Sequence, residues 1–256
     1  MKLAAWNVNS LKVRLPQLLE WLAEKNPDVV CLQETKLDDP HFPRKELEAA
    51  GYQVEFSGQK TYNGVALLSR DPLSDIIRDN PHFPDPQKRL IAAKVNGIRV
   101  VCAYIPNGQA VGSDKYGYKL AWLARLEVWL GELLQADPLL ALAGDFNIAP
   151  DDRDVHNPTA WAGQILCSDP ERDAFRRLLA LGLKDSFRLF EQPEKSFSWW
   201  DYRMLGFQKN EGLRIDHILL TEPLAQRCHA AGIDRAMRKR ERPSDHAPVT
   251  AEISGG

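Results

Sequence analysis

The stretch that most constrains this chain is Leu139-Leu140-Ala141-Leu142-Ala143, followed at once by Gly144-Asp145-Phe146-Asn147. An apolar run without polar alternation reads as a strand buried on both faces. A carboxylate then stands where burial should stop. In a strand, side chains at i and i+2 share a face, so Asp145 and Asn147 can point into one small volume. Gly144 lets a ligand or another backbone come close. Taken alone, the run is equally an Asx-type turn that closes a strand. Several other apolar runs carry polar groups at their ends in the same way, and these decide the matter.

The first such run covers residues 2–8 and ends in Trp6-Asn7-Val8-Asn9. Ser10 is placed to cap a helix, and Leu11, Leu15, Leu18, Leu19 and Leu22 recur at helical spacing up to Asn26-Pro27. A second strand at 28–32 ends in Gln33-Glu34-Thr35-Lys36. A short helix at 44–50 stops at Gly51. Strands at 52–56 and 64–69 flank a polar loop that contains Asn63, and the Pro-rich stretch 71–86 reads as loop. Residues 89–95 and 98–105 form a hairpin across Asn96-Gly97, the strongest short hairpin signal. Residues 106–119 read as a polar loop, 118–136 as an amphipathic helix, 149–168 as a long irregular loop and 169–181 as a helix ended by Gly182. A strand at 213–220 has Asp216 and His217 near its start. A short strand at 230–233 follows. Ser244-Asp245-His246 then precedes a last strand at 247–253.

Asn7, Glu34 and Asp145 thus come at strand ends, whereas Asp216 and Asp245-His246 come at strand starts. They meet on one rim only if the two sets of strands run antiparallel. The expectation is a mixed or antiparallel α/β sandwich with helices outside and a site along its top edge. No composition shift or long linker divides the chain, so residues 1–256 read as one domain.

The candidates are chiefly hard oxygen donors with a single histidine, a set that suits Mg²⁺ or Mn²⁺ rather than zinc. There is no HExxH motif, no Cys/His cluster, no Gly-rich nucleotide fingerprint and no G-x-S-x-G elbow. Carboxylates, a divalent metal and a histidine form a toolkit for cleaving phosphate esters. A net charge of −2 announces no nucleic-acid partner, but a local basic patch would still bind a polyanion. The four cysteines form no CxxC pair. Cys31 and Cys102 lie inside apolar runs, which suits a reducing compartment. The N-terminal segment is neither a signal peptide nor a membrane span, so the reading is cytoplasmic.

Together, Trp6-Asn7-Val8-Asn9, Leu32-Gln33-Glu34-Thr35-Lys36, Asn63-Gly64-Val65-Ala66, Gly144-Asp145-Phe146-Asn147, Trp199-Trp200-Asp201-Tyr202-Arg203, Leu213-Arg214-Ile215-Asp216-His217 and Ser244-Asp245-His246 resemble the exonuclease III family of DNA-repair nucleases. The resemblance covers nearly the whole chain, in order. It implies a four-layered α/β sandwich of the DNase-I-like superfamily, with two mixed sheets between helices. It also implies Mg²⁺-dependent action on double-stranded DNA: incision 5′ to abasic sites and removal of nucleotides or blocking groups from 3′ ends. The expected protein is a monomer with no membrane partner.

Residue by residue, Glu34 resembles the main metal ligand, with Asn7 and Asp245 beside it. Asp145 resembles the carboxylate that orients or deprotonates the attacking water, and Asn147 a donor to the phosphate or that water. Asp216 resembles the carboxylate that holds the catalytic imidazole, and His246 that imidazole. Tyr104 resembles a phosphate-contacting tyrosine. Asn63, Arg89, Asn107 and Lys115 are DNA-contact candidates, and Lys36, Lys60 and Lys119 could also reach phosphates. Trp199 resembles the tryptophan lining a pocket for a sugar without a base. Trp200 fits core packing, and His217, alternating to the other face, fits a structural role. The alternatives are a metallophosphoesterase of the same superfamily acting on a non-DNA substrate, and an inactive nucleic-acid-binding regulator. The second requires losses among Glu34, Asp145, Asn147, Asp216 and His246, and all five are present.

Overall fold

The computed structural model describes residues 1–255. In chain order the elements begin with β1 (Lys2–Asn7), α1 (Leu11–Lys25), β2 (Val29–Gln33), α2 (Arg44–Ala49), β3 (Gln53–Ser57), β4 (Val65–Ser69) and β5 (Ser74–Arg78). Then come β6 (Leu90–Val95), β7 (Ile98–Tyr104), α3 (Asp114–Ala136), β8 (Leu140–Asp145), α4 (Pro158–Trp161), α5 (Asp169–Ala180) and β9 (Leu183–Asp185). The last are β10 (Trp199–Trp200), α6 (Gly206–Lys209), β11 (Gly212–Leu213), β12 (Asp216–Thr221), α7 (Glu222–Ala225), β13 (Cys228–Ile233) and β14 (Val249–Ile253).

Two six-stranded mixed sheets result, ordered β13-β14-β1-β2-β4-β3 and β5-β6-β7-β8-β12-β9. Strand alternation explains the layers. Leu3 and Ala5 of β1 face Val100, Cys102, Ala141 and Ala143 of the other sheet across the central core. Ala4 and Trp6 turn outward to Leu18, Trp21 and Leu22 of α1. On the opposite side, Val101 and Leu142 pack beneath Trp122 and Leu126 of α3 and Phe175 of α5. Each central strand is therefore covered on both faces, and its sequence reads as an unbroken apolar run.

The register builds the rim. β1 and β2 run parallel, with Asn7 opposite Gln33. β7 and β8 run parallel, with Tyr104 opposite Asp145. β12 is antiparallel to β8, with Asp216 opposite Asp145, and β14 is antiparallel to β1. The ends of four strands and the starts of two therefore meet at one edge, the antiparallel relation that the polar groups demand.

Five local expectations need correction. Ser10 makes no side-chain cap; it sits at φ 84°. The stretch 71–86 is not all loop, because it contains β5, an edge strand broken by a register shift between Ser74 and Ile77. Helix α3 starts four residues earlier than its apolar stripe, at Asp114, because Ser113 caps it by accepting from the Tyr116 amide. The strand expected at 213–220 is two pieces: Leu213 pairs with Trp199 in a small ribbon, and β12 begins only at Asp216. Finally, 149–168 is not wholly irregular, since it holds a 3-10 turn at Asp152–Asp154 and α4.

Candidate active site

The site grows from the end of β8. Gly144 is required there because a Cβ would fall 1.9 Å from the Ala103 carbonyl oxygen. The close neighbour is thus the backbone of β7. Asp145 follows, 1% exposed. Its Oδ1 accepts from the Asn147 amide at 2.9 Å, with Asn147 in the left-handed region at φ 50°. The Asx turn is real, and it is part of the site. The shared volume arises from this turn rather than from strand alternation, since the strand has already ended. Asp145 Oδ2 accepts from Asn7 Nδ2 at 2.9 Å and lies 3.7 Å from His246 Nε2.

His246 stands between two buried carboxylates. Its Nδ1 contacts Asp216 Oδ2 at 2.9 Å and Oδ1 at 3.1 Å. Ser198 fixes Asp216: its hydroxyl donates to Asp216 Oδ2 at 2.7 Å and accepts from the Ile215 and Asp216 amides. Burial alone would discharge the imidazole. The negative charges of Asp216 and Asp145 outweigh it and push the His246 pKa up to about 10. Burial raises Asp145 to about 7, with Asp216 adding and the imidazolium opposing. A carboxylate near neutrality is suited to general-base work. Ser198 was missed in the sequence, where a small polar residue flanked by Phe197 and Trp199 was the available signal.

Glu34 closes the other end. Its Oε1 accepts from Asn7 Nδ2 and from the Tyr104 hydroxyl, each at 2.9 Å. Its Oε2 lies 3.0 Å from Lys36 Nζ, which also donates to Asn9 Oδ1. Burial favours the neutral acid, but Lys36 and Asn7 overcome it and hold the carboxyl below its usual range. Asn7 therefore bridges the two halves, with Nδ2 on Glu34 and Asp145 and Oδ1 accepting from the Asn9 amide. Asp245 sits apart from the His246 cluster. Its oxygens accept from Asn9 Nδ2 and Trp199 Nε1, both at 3.0 Å.

The donor atoms of Asp145, Asp216 and His246 lie within 4.8 Å of one another, close enough to hold a metal ion. His246 already pairs with both carboxylates there, so the cluster has its own cation. Outside it, Glu34 and Asp245 are carboxylates tied to each other through Lys36 and Asn9; each is the hard oxygen donor type that a divalent cation takes.

Among the remaining candidates, Asn107 Nδ2 donates to Asn147 Oδ1 at 3.1 Å. Arg89 lies over the Tyr104 ring, 4.6 Å from its centroid. Asn63 bonds the Gln59 amide oxygen, and Lys115 is exposed on the first turn of α3. Trp199 is half-buried against Val155, Leu213 and Ile215, whereas Trp200 is fully buried. Lys119 contradicts its reading as a phosphate contact: it is fully buried and paired with Glu171. His217 binds the Arg214 guanidinium and the Ile148 carbonyl, away from the rim.

Residues 4–246 match the model of the endonuclease/exonuclease/phosphatase family. The chain is 41% identical to exodeoxyribonuclease III of Haemophilus influenzae, across 99% of this chain and 100% of that protein. The structure of the 3′ phosphatase NExo from Neisseria, bound to a product DNA hairpin, shares 46% identity and a TM-score of 0.98, each chain covered in full. An AP endonuclease from Archaeoglobus fulgidus shares 38% identity and a TM-score of 0.96, again over the full length of both. Fold and relatives agree, and the chain belongs to the endonuclease/exonuclease/phosphatase family.

Proposed function

We propose that this chain, a DNA-repair nuclease, hydrolyses phosphate esters of double-stranded DNA at abasic sites and at blocked 3′ ends, using Mg²⁺ or Mn²⁺. The observation that carries the reading is the buried row Asp216–His246–Asp145, joined through Asn7 to Glu34. An aspartate raised toward neutrality and an imidazolium held beside it form a base and a cationic donor in one pocket.

In the reaction, Asp145 accepts the proton of the attacking water. His246 turns Nε2 toward a non-bridging phosphate oxygen, whose negative charge grows as the water adds, and Asp216 keeps the ring charged and oriented. Asn147 donates one amide hydrogen to the Ile105 carbonyl, which leaves its second for the phosphate or the water. Tyr104 faces the same phosphate from the Glu34 side. A divalent metal held by Glu34, with Asn7 and Asp245 near it, would neutralise a phosphate oxygen and ease departure of the sugar oxygen. Asn63, Arg89, Asn107 and Lys115 contact the DNA around the scissile bond, and Trp199 packs against the deoxyribose. The unit in this reading is a monomer with one domain over residues 1–256. The four free cysteines fit a reducing, cytoplasmic setting, and no helix among the described residues is long and apolar enough to cross a membrane.

The test is cleavage of labelled duplexes carrying an abasic-site analogue, a 3′ phosphate or neither, with Mg²⁺, Mn²⁺ or EDTA. Metal-dependent incision 5′ to the lesion and loss of the 3′ phosphate are the expected results. Cleavage of none by folded protein contradicts the reading. Glu34→Ala should lose activity at low Mg²⁺ and recover part of it at high Mg²⁺. Full activity at low Mg²⁺ would remove Glu34 from the metal site.

A further inference from the structure

Lys119 and Glu171 are both fully buried. The lysine Nζ donates to Glu171 Oε1 at 2.5 Å, to the Asn147 carbonyl at 2.6 Å and to the Asn107 carbonyl at 3.1 Å. All three donor hydrogens are thereby used. Two of the acceptors are the backbones of residues whose side chains meet in the site, Asn107 Nδ2 on Asn147 Oδ1. Asn147 holds a left-handed conformation that costs free energy unless its surroundings fix it, and the lysine fixes its carbonyl. Glu171 is anchored in turn: it accepts from the Leu166 and Ser168 amides and from the Ser168 hydroxyl at the start of α5. The fold also clears a path for the lysine stem. Gly108 carries no Cβ, and one built there would lie 3.1 Å from Lys119 Cδ and 2.9 Å from Ile165 Cδ1.

An ion pair buried this completely is a weak source of stability, because desolvating both charges offsets their attraction. Its placement points to another use. We propose that Lys119, neutralised by Glu171, is a positioning residue for the reaction: it locks the Asn107 and Asn147 backbones so that the Asn147 amide meets the reacting phosphate. The inference rests on the phosphate-ester reading of the site. It concerns turnover rather than DNA affinity, since neither Lys119 nor Glu171 reaches the surface.

The experiment compares kcat, KM and DNA affinity on a 3′-phosphate duplex for wild type, Lys119→Met, Asn147→Ala and the Lys119→Met/Asn147→Ala double variant. Removing a group that places a reacting contact to within about 1 Å costs on the order of 100-fold in kcat. Lys119→Met should show about that loss, with KM and DNA affinity within about twofold of wild type. In the Asn147→Ala background the same change should cost little more, because the two act through one contact. Lys119→Met leaves Glu171 as a lone buried charge and can fail to fold. The paired Lys119→Met/Glu171→Gln variant removes both charges together, which folds tolerate better, and should show the same kcat loss. Wild-type kcat in a folded variant overturns the proposal. So does a loss carried by KM, or one that simply adds to that of Asn147→Ala. A wild-type enzyme that cleaves no DNA would instead refute the phosphate-ester reading.

Discussion

Two groups of buried charges share one short segment, and they behave in opposite ways. In the group behind the rim, Arg214 donates to Asp154 at 2.7 Å and to Asp185 at 2.7 Å, and Arg188 also pairs with Asp154. Two carboxylates meet two guanidiniums. Arg214 overcomes burial and holds Asp185 below its usual range, while the two aspartates keep Arg214 firmly charged. On the rim, three buried or half-buried carboxylates, Glu34, Asp145 and Asp216, meet one imidazole and one partly exposed lysine. Asp145 is left pushed toward neutrality. Asp216 and His217 are neighbours on β12, and the pleat sends one to each group. Burial and charge therefore do not mark the reactive site; the imbalance does.

The sharpest way to break this contrast is to disturb the balanced group. Arg214→Met strands Asp185 and leaves Asp154 to Arg188 alone, and should cost about 3–5 kcal/mol of stability. Denaturant unfolding measures it, and the surviving folded fraction should keep wild-type kcat. On the rim the expected effect falls on chemistry. His246→Ala should cost roughly 3–4 kcal/mol of transition-state stabilisation, read as kcat in single turnover of the folded protein, and should also lower the melting temperature, because Asp145 and Asp216 lose their shared cation. Near-normal kcat would remove the histidine from the mechanism.

A pH experiment sharpens the comparison. Arg214 donates to His217 Nδ1 at 3.1 Å, so the ring proton sits on Nε2 and donates to the Ile148 carbonyl. Burial and the neighbouring guanidinium lower the His217 pKa to about 4. The folded pKa lies below the unfolded one, so the unfolded chain takes up the proton first. Stability from this group is complete above about pH 6.5 and is lost as pH falls toward 4, by up to about 3 kcal/mol. His217→Gln should flatten urea-midpoint curves across that window; an unchanged slope would contradict the neutral ring. The smallest effect is expected from Ser198→Ala. It removes the hydroxyl's hydrogen bond to the Asp216 carboxylate and the two it accepts from the Ile215 and Asp216 amides; on kcat the effect should be about 1 kcal/mol, a modest fall.

The rim was legible because its residues interrupt apolar runs, and an interruption at a strand end is visible in one dimension. Glu34 after Val29–Gln33 and Asp145 after Leu140 are of this kind. The antiparallel relation of β8 and β12 follows from Asp145 standing at a strand end and Asp216 at a strand start. The balanced group was not legible, since Asp154 lies in a stretch with the composition of a solvated loop. One signal was present: Arg214 lies between Leu213 and Ile215, and a buried arginine needs partners. Lys119 reads as a possible phosphate contact for the same reason, although Ser168-Asp169-Pro170-Glu171 carries the spacing of a capping box. The edge strand β5 escaped because its pattern is mostly exposed and its ladder is broken.

The central claim is that the uncompensated carboxylate at the end of β8 is the base of the reaction. It is tested most directly by measuring kcat on a 3′-phosphate duplex and the melting temperature together for Asp145→Asn. The account predicts a loss of about 1,000-fold or more in kcat, with DNA binding retained and the melting temperature equal to wild type or higher, because a strained buried charge has been removed. A folded Asp145→Asn protein that turns over at the wild-type rate would contradict it.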